Sequence, residues 1–189
     1  INEKLILELT QEGTECEAEI VRNPNDINPY QYISSKTYIA VTNIQNSIEN
    51  IDSDKLSSSL NTQKYGEYNL VWNKETDEFL RTKYDFGVGQ TVYSDSEVLK
   101  KTSIQRNYIA IIPFEQLNPL MKVLSLNRDN ILKDSLNLIS YPLSDTYWFK
   151  SSKEFSEAVK KIGSDVFTKT NFDSSKLSSV LLTGTSAVG

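Results

Sequence analysis

The sequence contains no histidine at all and only one cysteine, Cys16, among 189 residues. The first absence removes the commonest general base, the Ser–His and Cys–His pairs, and the usual nitrogen ligand of zinc, iron or copper. The second excludes any internal disulfide, and with it a disulfide-built secreted fold. Cys16 has no histidine to activate it, and its acidic neighbours Glu15 and Glu17 oppose the thiolate. No apolar run approaches the roughly 20 residues that span a bilayer, so no membrane partner is expected. No signal peptide is visible, and the expected compartment is the cytoplasm. The first residue is Ile1 rather than Met, so a targeting segment is not judged from this end.

What remains is ordinary globular material. Hydrophobic residues make up 38% and charged residues 24%, which is outside the disordered class. The length suits one domain with a core of its own. The net charge of −5 is concentrated at one end. Residues 1–20 carry six Glu and one Lys, a balance of −5, while the other 169 residues carry 19 cations and 19 anions. That distribution excludes a protein that coats nucleic acid by charge alone.

Residues 4–21 alternate apolar and polar on both sides of Glu12-Gly13, which predicts a β-hairpin. Residues 22–30, with Pro24 and Pro29, read as a loop. Tyr38–Val41 reads as a short strand. Val41, Ile44, Ile48 and Ile51 fall at helical spacing and predict a helix over 42–51. Tyr68, Leu70, Trp72, Phe79 and Tyr84 predict a second hairpin over 67–86, turning at Lys74–Asp77. Ser94 with Glu97, and Ser151 with Glu154, match the capping box that opens a helix. The second of these starts a helix that ends at Gly163. Tyr108–Ile112 is a continuous apolar run, as a central buried strand requires. The fold class expected is α+β: an antiparallel sheet, curling toward a partly closed barrel, packed by three or four helices mostly after residue 110.

The sharpest motif lies at the end. Val180–Thr183 reads as a strand, and Gly184-Thr185-Ser186-Ala187-Val188-Gly189 has the spacing G-x-x-x-x-G. It resembles the first six positions of a P-loop, whose N–H groups cradle phosphates. The Lys and Ser or Thr that complete the motif are not in the sequence. On these residues the layout is similar to that of the McrB-like restriction NTPases, in which an N-terminal domain reads DNA before a nucleotide-hydrolysing domain. The resemblance implies a recognition domain over residues 1–173, then a linker and the start of a P-loop domain over 174–189. Gly184 and Gly189 would be its truncated nucleotide-binding residues. This chain itself would be non-catalytic and hold no cofactor or metal, with GTP or ATP and Mg expected only for a domain further on.

That resemblance implies DNA as partner, and two groups of residues have suitable chemistry. Lys100, Lys101, Gln105, Arg106 and Asn107 form a run of cations and amides without a carboxylate. Lys64, Tyr65, Arg81 and Lys83 lie around the predicted aromatic hairpin, where rings beside cations suit base stacking. The alternative to each is structural: a solvated loop for the first, core and cross-strand pairs for the second. The rival function class is a structural or protein-interaction module, such as a phage component or bacterial surface protein, with a protein subunit as its partner.

Overall fold

The computed structural model describes residues 4–11, 14–27, 30–132 and 137–150. In chain order the elements begin with strands β1 (Lys4–Gln11), β2 (Thr14–Arg22), β3 (Gln31–Asn43) and β4 (Asn50–Ile51). Helix α1 (Ser53–Ser59), strands β5 (Lys64–Tyr65) and β6 (Tyr68–Val71), and helices α2 (Lys74–Lys83) and α3 (Asp95–Ile104) follow. Strand β7 (Tyr108–Pro113), a 3₁₀ turn (Phe114–Gln116), and strands β8 (Met121–Val123), β9 (Ser125–Leu126) and β10 (Ser144–Lys150) complete the described chain. The class is α+β, as the sequence implies. The helices described lie before residue 110, and the one expected over 151–163 falls outside the described residues.

The chain divides into two compact units, with Thr37–Leu143 forming the body of the second. In the first unit, β1 pairs antiparallel with β2 from Lys4↔Val21 to Gln11↔Thr14. This is the predicted hairpin. Strand β10 pairs antiparallel with the other edge of β2, Tyr147↔Arg22 through Lys150↔Glu19.

In the second unit β7 is the axis. It pairs antiparallel with β3 on one side and parallel with β6 on the other. Ile109, Ala110, Ile111 and Ile112 are buried completely. A strand covered on both faces has no place for the alternation of a half-exposed strand, so it reads as an unbroken apolar run. The parallel pairing of β6 with β7 requires a long crossover, which α2 and α3 supply.

The structure departs from the sequence-based expectation in two segments. The hairpin over 67–86 is half strand and half helix. Tyr68–Val71 is β6, but Lys74–Lys83 is α2. Asn73 caps that helix by accepting the Thr76 N–H, and Thr76, Phe79 and Leu80 fall on its buried face. Glu75 and Asp77 in the first turn and Arg81 and Lys83 in the last suit the helix dipole. The aromatic content of the segment mimics a strand, but the spacing of its buried residues is helical. The helix over 42–51 is absent too. Strand β3 continues to Asn43, and a loop carries Ile44 into solvent.

The Tyr38 and Phe79 rings stack with centroids 4.1 Å apart and an interplanar angle of 1°. Phe79 is fully buried, so truncation leaves a cavity as well as losing its transfer energy. Phe79→Ala is expected to cost about 3–5 kcal/mol of stability, read as a lower urea midpoint at unchanged slope.

Candidate functional site

The basic run expected to meet DNA closes α3 and begins the turn into β7. Lys100 is exposed on α3. Lys101 is drawn inward, its ammonium 5.0 Å from the Tyr93 ring centroid and 4.9 Å from that of Tyr108. Gln105 is the C-cap, its N–H donating to the Lys101 carbonyl. Arg106 donates to the Gln45 side chain, and its carbonyl accepts from Asn46 Nδ2 at 2.8 Å. The Asn107 carbonyl accepts the Asn69 N–H at 2.9 Å.

The second group is not assembled into a stacking platform. Lys64 is exposed, but Tyr65 is buried, its hydroxyl accepting the Asp52 N–H at 2.9 Å and its ring covered by the Lys55 ammonium at 4.7 Å. Arg81 donates to Asp77 at 2.7 Å, to the Gly87 carbonyl at 2.6 Å and to Gln90 at 3.1 Å. Asp77 also accepts the Trp72 indole N–H at 2.9 Å. The Lys83 ammonium lies 5.9 Å from the centre of the buried Phe79 ring. Gly184 and Gly189 lie outside the described residues.

A dense polar cluster among the described residues was not visible in the sequence, because its halves are 123 residues apart. At the end of β2, Arg22 Nε donates to Asp145 Oδ1 at 2.8 Å and its terminal nitrogen to Oδ2 at 2.7 Å. Asn23 Nδ2 donates to Oδ1 at 2.8 Å, and the Tyr147 hydroxyl to Oδ2 at 3.1 Å. Asn23 Oδ1 accepts the Thr146 N–H at 2.8 Å, and the Thr146 carbonyl accepts the Asn23 N–H at the same distance. Asn23 reaches this position with a φ of 48°, a conformation Asn tolerates better than most residues. The donors around Arg22 are of the kind that hold an oxyanion, yet the Asp145 carboxylate already occupies them.

The helix starts are occupied in the same way. A free helix N-terminus attracts anions through its unpaired N–H groups and dipole. Asp52 caps α1 by accepting the Lys55 N–H, and Asn73 caps α2. Ser94 and Glu97 close a reciprocal capping box on α3, as the sequence predicts: the Ser94 N–H and hydroxyl donate to Glu97 Oε2 at 2.9 and 2.7 Å. The first turns also carry Asp54, Glu75, Asp77 and Asp95. Each described helix thus meets its positive pole with its own carboxylates.

Hydrogen bonds from the Ser94 side chain and backbone hold the Glu97 carboxyl below the usual carboxylate range. A lowered folded value means the contribution is present above the ordinary carboxylate pKa and lost as pH falls through the folded one. Ser94→Ala is expected to move the Glu97 titration back up toward its ordinary value, followed by NMR of the carboxyl carbon. In the Arg22 cluster, Asp145 is 1% exposed, so Arg22→Ala leaves a buried carboxylate without its cation. That change is expected to cost about 3–5 kcal/mol in urea melts.

No protein-family model matches the chain, and no curated protein matches it. Solved structures do. PstS from Borrelia burgdorferi superposes with a TM-score of 0.56 at 16% identity, covering 81% of this chain and 78% of that one. An ABC-type phosphate transport receptor from Vibrio cholerae gives a TM-score of 0.50 at 13% identity, over 70% of this chain and 64% of the receptor. A Clostridium perfringens protein solved with bound phosphate gives 0.51 at 11% identity, over 78% and 72%. At these identities the likeness is one of fold.

The chain therefore shares its fold with these three structures, and that likeness corrects three expectations. The resemblance to the recognition domain of a McrB-like P-loop NTPase does not hold, nor do DNA recognition as function and DNA as partner. The glycine pattern that carried the resemblance spans six residues and is permissive without its Lys. Three of the side chains that suggested DNA contact are committed within the domain, Lys101 to Tyr93 and Tyr108, Arg81 to Asp77, and Tyr65 to Asp52, while Lys64 and Lys100 are exposed.

Proposed function

We propose that this chain is a non-catalytic solute-binding domain, the recognition part of an uptake system of the ABC type. The observation that carries the proposal is the fold shared with three receptor structures at TM-scores of 0.50–0.56. A fold alone does not dictate function, so the residues must be compatible with the role as well. They are. The chain has no histidine, and burial pushes the Tyr84 and Tyr141 phenols up, keeping them protonated and unsuited to act as bases near neutral pH. The partner that goes with this reading is a membrane transporter rather than a nucleic acid.

Phosphate is the first solute to test, because one neighbour is named as a phosphate transport receptor and another holds bound phosphate. The self-capped starts of α1, α2 and α3 leave recognition of an anion to other donors. A ligand that binds only the folded state at a hundredfold excess over its dissociation constant stabilises it by about 2.7 kcal/mol. Thermal melts against phosphate, other small oxyanions, sugars and amino acids are expected to show one such saturable shift, confirmed by calorimetric titration. A folded chain that none of these solutes stabilises, and that instead binds duplex DNA in a salt-dependent way, overturns the proposal.

A further inference from the structure

One end of the second unit exposes large apolar side chains that the core does not use. Ile44 is 55% exposed, Ile104 67% and Leu120 57%. Scattered singly, such residues need no explanation, but adjacent ones mark interaction surfaces. These come from three separate segments tied together by hydrogen bonds. The Ile44 N–H donates to the Leu120 carbonyl at 3.3 Å. Asn43 Nδ2 donates to the Ser103 carbonyl at 2.6 Å, next to Ile104. Asn46 Nδ2 donates to the Arg106 carbonyl at 2.8 Å, and Arg106 donates to Gln45. The three segments that carry the patch are therefore joined by hydrogen bonds rather than left as free loops.

Its rim is cationic. Lys100 precedes Ile104 by one helical turn and shares its exposed face of α3. Arg106 follows in the turn after α3. The basic run singled out in the sequence thus borders an apolar patch.

The chain itself holds a complementary surface. Residues 1–20 carry the whole net charge of −5, the remainder being neutral in sum. Those residues contribute β1 and most of β2, and β1 stands at the end of the strand order, with no strand on its outer side among the described residues. An unpaired edge is a ready template for contact with another chain. We propose that the face formed by Ile44, Ile104 and Leu120, with Lys100 and Arg106 on its rim, is a self-association surface that receives the acidic β1–β2 hairpin of a second copy. Two different patches are joined in this contact, so the association is head-to-tail and builds rings or open chains rather than a two-fold dimer. The inference stands apart from the identity of any solute.

Sedimentation velocity on the full chain tests it. Oligomers are expected to grow with concentration and to weaken as salt rises from about 0.05 to 0.5 M, because the rim contacts are screened. Ile104→Ser with Leu120→Ser alters exposed positions only; its circular dichroism should be unchanged and its association weaker by roughly tenfold or more. Lys100→Glu/Arg106→Glu and Glu15→Lys/Glu17→Lys/Glu19→Lys should each be monomeric alone and associate when mixed. Wild-type chain that stays monomeric at about 100 μM in low salt overturns the proposal and leaves the patch to a different partner. Association that survives Ile104→Ser/Leu120→Ser overturns it as well, as does failure of two folded charge-reversed variants to associate on mixing.

Discussion

The complete burial of β7 is the constraint on which the second unit depends. Ile109–Ile112 have neither face in water, so both faces of the sheet at that point must be covered and both edges paired. Strand β3 satisfies one edge and β6 the other, and the parallel sense of β6 obliges the chain to leave the sheet and return. The excursion is α2 and α3, both of which pack on β7. Phe79 and Leu80 then exist to fill the space that this excursion encloses, with Tyr38 of β3 stacked on Phe79. Strand, crossover and core are one requirement met in sequence.

Charge is handled by a second regularity, which is internal satisfaction. Asp145 is buried against Arg22, Asn23 and Tyr147, and Asp77 takes both the Trp72 indole and Arg81. The three described helices begin on their own Asp, Asn or Ser caps and on acidic first turns. Burying one member of such pairs alone would be costly, so the partners are specified together. The consequence for function is direct. Lys101, Arg81 and the three described helix starts are engaged within the chain, whereas Lys100 and the side chains of Ile44, Ile104 and Leu120 are exposed.

Part of this was legible in the sequence. The hairpin predicted at 4–21 shows in its alternation, the start of α3 in Ser94 and Glu97, and β7 in its unbroken apolar run, because each signal is local. Helix α2 was not legible as a helix, since Trp72, Phe79 and Tyr84 raise strand propensity over a segment whose tertiary partner selects helical spacing. The helical spacing of Val41, Ile44, Ile48 and Ile51 misled in the other direction: Val41 and Ile51 are buried in strands while Ile44 points to solvent. The Arg22–Asp145 cluster had no local signal, since only the pairing of β2 with β10 brings it together. The likeness to the solved structures was hidden for a related reason: at 11–16% identity it is one of fold.

A buried β7 with a helical crossover beginning at Lys74–Lys83 organises the second unit. Native-state amide hydrogen exchange measures it residue by residue. The account predicts that Ile109–Ile112 exchange only through global unfolding, and that Phe79–Lys83 are protected with the spacing and carbon chemical shifts of a helix. Fast exchange at Ile109–Ile112, or strand-like shifts across Lys74–Lys83, would contradict it.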